Sequence, residues 1–80
     1  MPKVLVTTTV GASDPTRASI PFHIAVNGVA AIGAECGIAL AGDATDLLKP
    51  AVAAGVRGVG VPALADLLAK CGEKGIRFYV

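Results

Sequence analysis

The sequence predicts an α/β domain built on a parallel sheet, and three observations carry that expectation. Runs rich in β-branched residues alternate with helical stretches along the chain. Glycine and proline fall at the boundaries between them. Strands separated by helices need crossover connections, and these give parallel pairing with helices on the sheet.

The first element is Lys3 to Val10, K-V-L-V-T-T-T-V, in which every residue but the lysine is β-branched or leucine. Its near-continuous apolar start suits a central strand covered on both faces. Gly11 to Pro15 breaks it, with Asp14 as N-cap and Pro15 at the first helical position. A helix should follow from about Pro15 to Ile32, closed near Gly33, with Pro21 kinking or splitting it. Ala34 to Ala41 is short and bounded by glycines, with Cys36, Ile38 and Leu40 alternating on one face, which predicts a second strand.

Gly42 to Thr45 reads as a loop with a cap, and Asp46 to about Ala54 as a short helix interrupted by Pro50. Gly55 to Val61 carries three glycines and reads as a loop. From Pro62 onward Leu64, Leu67, Leu68 and Cys71 form one buried helical stripe, and Gly72 and Gly75 mark its end. Ile76 to Val80 is a third strand. Right-handed crossovers would place the first strand between the other two, in the order 2-1-3.

Eighty residues, 54% hydrophobic and 16% charged, fit one domain with more apolar surface than a short monomer easily hides. Disorder is excluded by that balance. A net charge of +1 argues against a nucleic-acid module. No apolar run reaches the roughly 18–20 residues of a membrane span. The start Met1-Pro2-Lys3-Val4 does not read as a signal peptide, so the expected compartment is the cytoplasm. The two cysteines and one histidine make no metal or redox motif, and neither a metal nor a cofactor is expected. The first helix is apolar nearly all round, which predicts burial against neighbouring subunits of a homo-oligomer.

Ligands of parallel sheets sit beyond the carboxyl ends of the strands, where strand order reverses. That puts Thr8, Thr9, Ser13, Arg17 and Asp43 forward as ligand-binding residues. The competing reading makes Thr8 and Thr9 strand residues and Asp14 and Asp43 helix caps. The Gly11–Asp14 loop is no phosphate-binding fingerprint. Cys71 is the candidate nucleophile, with Lys70 and Lys74 close in sequence, but it shares the leucine stripe and packs equally well as a small apolar residue. Cys36 reads as packing. Ser19, His23 and Asn27 form a polar stripe on the first helix. A serine–histidine pair suggests acyl chemistry, yet no acid partner is visible, and a wet face or subunit contact explains it as well. Arg57 could meet an anion or stay solvated.

Taken together, V-L-V-T-T-T-V-G-A-S-D-P-T-R-A-S-I-P-F-H (Val4 to His23), I-A-L-A-G-D-A-T (Ile38 to Thr45) and Gly58 to Val80 make the chain resemble the DsrE/DsrF-like family, in its uncharacterised single-domain branch. The resemblance implies a three-layer α/β sandwich, assembly into trimers or hexamers, and sulfur relay, in which a persulfide passes between cysteines and a sulfur-carrier protein is a partner. In many members the strand that ends here at Val80 leads into a cysteine-containing loop. The resemblance therefore also implies a domain incomplete at its C-terminus, without that loop.

Overall fold

The computed structural model describes residues 3–80; Met1 and Pro2, with the reading of them as the start of a leaderless chain, lie outside these residues. Three strands, β1 (Lys3–Thr8), β2 (Glu35–Leu40) and β3 (Arg77–Tyr79), form one parallel sheet. Helix α1 (Pro15–Ile24) joins the first two, and α2 (Pro50–Ala53) and α3 (Leu64–Lys74) lie between the second and third.

The strand order is β1-β2-β3, which overturns the expected 2-1-3. β2 is the central strand, pairing Val6 with Ile38 on one side and Ile38 with Phe78 on the other. The handedness rule constrains which way each crossover turns, and two right-handed crossovers that step in the same direction satisfy it as well as two that reverse. Stepping the same way also puts both connections on one face. Ala18 and Phe22 of α1, Leu64, Leu67 and Cys71 of α3, and Ile38 and Leu40 of β2 accordingly share one core. The expected third layer is therefore absent from the described residues: the other face carries Lys3, Leu5, Glu35, Arg77 and Tyr79, all exposed. β1 supports this geometry, because its side chains alternate. Val6 and Thr8 turn inward, half-buried and buried, while Leu5 is 59% exposed.

Local signals explain the helices. Asp14 Oδ1 accepts from the Arg17 N–H at 3.1 Å, and Pro15 occupies the first turn, where its missing N–H leaves no orphan donor. The helix runs on through Pro21, and its geometry changes further along. A wide π turn occupies Ala25–Val29 and a tight 3-10 turn Ala30–Ile32. Gly33 and Gly75 close α1's extension and α3 in the left-handed conformation, at φ 79° and 70°. Phe22 anchors α1 to the sheet, meeting Phe78 edge to face with ring centres 6.1 Å apart.

Two boundaries differ from expectation. Gly42–Leu48 is a 3-10 helix, where Gly42 to Thr45 reads as a loop in the sequence. Thr45 donates its hydroxyl to the Gly42 carbonyl at 2.9 Å and helps hold this tight turn. Pro50 then forces Lys49 into an extended conformation, φ −75° and ψ 125°, and splits the segment from α2. α3 begins at Leu64 rather than Pro62, after an extended Ala63.

Candidate functional site

Two loops meet at the carboxyl ends of β1 and β2. The first follows β1 and ends at the Asp14 cap. The second enters the 3-10 helix at Gly42. They are drawn together by the Ala41 N–H, which donates to the Thr8 carbonyl at 3.1 Å and extends the β1–β2 ladder by one bond. Gly11 seats against Asp43 so closely that a Cβ on it would lie 2.8 Å from both the Asp43 Cβ and carbonyl oxygen. No side chain other than hydrogen fits there.

The cleft between these loops has a volume of about 270 Å³ and is lined by Gly11, Ala12, Ser13, Asp43, Asp46 and Val52. It is smaller than the roughly 300–1,000 Å³ of sites for drug-sized ligands. Its charge is acidic. Lys49 lies 3.1 Å from Asp46, and Arg17 lies 3.6 Å from Asp14. Both pairs are exposed, and such pairs contribute about 0–1 kcal/mol. No ion pair to Asp43 is present among the described residues.

The structure brings only part of the expected ligand set together. Ser13 and Asp43 line the cleft. Thr8 lies beneath it, buried, with its hydroxyl accepting from the Val10 N–H at 3.4 Å. Thr9 is exposed but off the lining, and Arg17 points to solvent and Asp14. The expected reversal of strand order is absent, so the cleft owes its position to the loops rather than to a switch point. Asp46 and Val52 were not among the expected residues. The only sequence signal for Asp46 was its spacing of three from Asp43, which a 3-10 turn stacks on one side.

Cys71 is in the core at 0% exposure, against Leu64 and Leu67. Burial pushes its thiol up to about 11, and the neighbouring Cys36 adds to the shift. Cys36 is half-buried at the opposite end of the sheet from the cleft, and burial raises its thiol as well. Neither thiol is drawn down toward the thiolate form by a neighbouring cation.

The polar stripe of α1 divides. Ser19 is buried and donates its hydroxyl to the Pro15 carbonyl at 2.8 Å. Asn27, exposed, lies 3.0 Å from His23 Nδ1, so its amide donates and the imidazole carries its proton on Nε2 when neutral. Serine and histidine therefore do not pair. Arg57 is exposed, in the glycine-rich loop whose Val59 N–H donates to Thr16 Oγ1 at 3.0 Å. Among the described residues no group of His, Cys, Asp and Glu could hold a metal ion, and no helix is long and apolar enough to cross a membrane.

No protein-family model, curated protein or solved structure matches the chain.

Proposed function

We propose that this chain, with its DsrE-like sequence pattern, works as a binding subunit, holding a small polar molecule in the cleft between the two loops. The observation that carries this reading is a contrast in access. The cleft groups, Ser13, Asp43 and Asp46, are open to solvent, while Cys71 is wholly enclosed and its thiol is held neutral. A persulfide carrier needs a thiolate that a partner can reach, and Cys71 meets neither condition.

The chemistry of the lining points to the ligand class. Two carboxylates and a hydroxyl accept hydrogen bonds, and Asp14 already occupies the N-terminus of α1 where an anion would otherwise sit. A small amine or polyhydroxy compound supplies the matching donors; a phosphate does not.

The test is amide chemical-shift mapping of the full chain against a panel of primary amines, neutral polyols and inorganic phosphate. Saturable shifts confined to Gly11, Ser13, Asp43 and Asp46 with an amine or polyol, and none with phosphate, are expected. Shifts with phosphate alone, or none with any probe, would overturn the reading.

A further inference from the structure

We propose that the outer edge of β1 pairs antiparallel with the same edge of a second copy, making a symmetric dimer with one continuous six-stranded sheet. This surface is separate from the loop cleft, and it stands whether or not the cleft binds a ligand.

The two edges of the sheet are built differently. β3 is three residues long and begins on the charged Arg77, so it offers little to a passing strand. β1 is six residues long, K-V-L-V-T-T, and its only charge is at its first residue. Each edge strand thus opens on one cation, Lys3 or Arg77, and length separates them: shortness is a usual protection against pairing, and β1 lacks it. Among the described residues it has no strand partner beyond β2.

The backbone determines which residues are available. Thr8 directs its carbonyl at Ala41, on the β2 side. A residue's N–H and C=O point the same way along a strand, and direction alternates from one residue to the next. Val4, Val6 and Thr8 therefore face β2, and Lys3, Leu5 and Thr7 present their N–H and C=O groups outward.

A second copy related by a two-fold axis perpendicular to the sheet keeps the exposed face exposed and runs its β1 antiparallel. With that axis at Leu5, Leu5 pairs with Leu5 of the second copy and Lys3 pairs with Thr7, twice. Each of these is a pair of the kind that exchanges two bonds, so about six hydrogen bonds form and no outward group of Lys3, Leu5 or Thr7 is left over. With the axis at Val6, Leu5 would still pair with Thr7 twice, but Lys3 would face Thr9, outside the strand, so about four bonds would form in place of six. The same register brings together the two Leu5 side chains, each 59% exposed in the single chain. It also places the two Lys3 charges at opposite ends of the seam, where a parallel arrangement would set them side by side. The occupant is thus a second copy of this chain, on the grounds of its hydrogen-bond register and its charge placement.

Four proteins measured by sedimentation and light scattering test this. The unmodified chain should be a dimer at micromolar concentration. Leu5→Lys puts like charges directly opposite at the axis and should raise the dimer dissociation constant at least tenfold. Leu5 is exposed in the single chain, and unchanged circular dichroism would show that the fold survives. Thr7→Glu faces Lys3 of the second copy and should tighten the dimer, whereas Thr7→Lys should weaken it. A monomer at all concentrations, an oligomer indifferent to Leu5→Lys, or equal effects of the two Thr7 changes would overturn the proposal.

Discussion

Cys71 separates packing from chemistry, and its reactivity follows from where it sits. An ordinary thiol with a pKa near 8.5 is roughly one-quarter thiolate at pH 8. With the value raised to about 11, only about one thiol in a thousand is ionised at that pH. The ionised fraction thus falls about 250-fold. A more basic thiolate attacks faster, with a Brønsted slope of about 0.4–0.5, which returns roughly tenfold. The net slowing from ionisation is about twentyfold. Enclosure multiplies this, because at 0% exposure the reagent waits for local opening.

The assay is labelling by a small disulfide reagent at pH 8, with each cysteine followed by intact mass and peptide mapping. The reference is the same thiol in urea-unfolded chain. Native Cys71 should react at least one-hundredfold more slowly than in urea. Substitution gives an independent reading. Cys71→Ala removes one well-packed atom and should cost about 1 kcal/mol, while Cys71→Ser puts a hydroxyl among leucines, where the Leu67 carbonyl one turn back is its available acceptor, and should cost about 1–2 kcal/mol. Native labelling within a few-fold of the unfolded rate, or a serine variant as stable as the parent, would refute the packing role. The pH dependence has a definite sign. The folded value lies above the unfolded one, so the stability linked to this thiol is present below about pH 8.5 and is lost as pH rises through about 11.

Phe22→Ala removes the ring that joins α1 to Phe78 and should cost about 3–5 kcal/mol in urea unfolding. An 80-residue chain has about 4–12 kcal/mol in all, so this variant should lose roughly half of its margin and unfold at a correspondingly lower urea midpoint. Gly11→Ala forces a Cβ against the Asp43 carbonyl at 2.8 Å; it should cost about 1–3 kcal/mol and weaken any ligand of the cleft at least tenfold in the shift-mapping titration. Gly75→Ala puts a side chain at φ 70° and should lower stability by about 1–2 kcal/mol, read as a lower urea midpoint with unchanged slope. Incubation with a persulfide donor should add no 32-dalton increment to Cys71 (the mass of one sulfur atom, about 32); a gain there would restore the relay chemistry that the family resemblance implies.

The amino-acid sequence by itself determined much of the local structure. Asp14 and Pro15 start α1, Gly33 and Gly75 close their helices, Pro50 divides the segment after β2, and the Leu64–Cys71 stripe faces inward, because each depends on backbone and side-chain preferences acting over a few residues. The parallel sheet was legible too, since helices between strands require crossovers. Only the tertiary structure decided the strand order and the number of layers. Handedness restricts how a crossover turns but leaves the direction of its step open, and that choice rests on contacts between residues far apart in the chain, such as Ile38 between Val6 and Phe78. From it follow the central place of β2, the helices gathered on one face, the cleft formed by loops without a switch point, and an outer edge of β1 with no strand partner among the described residues.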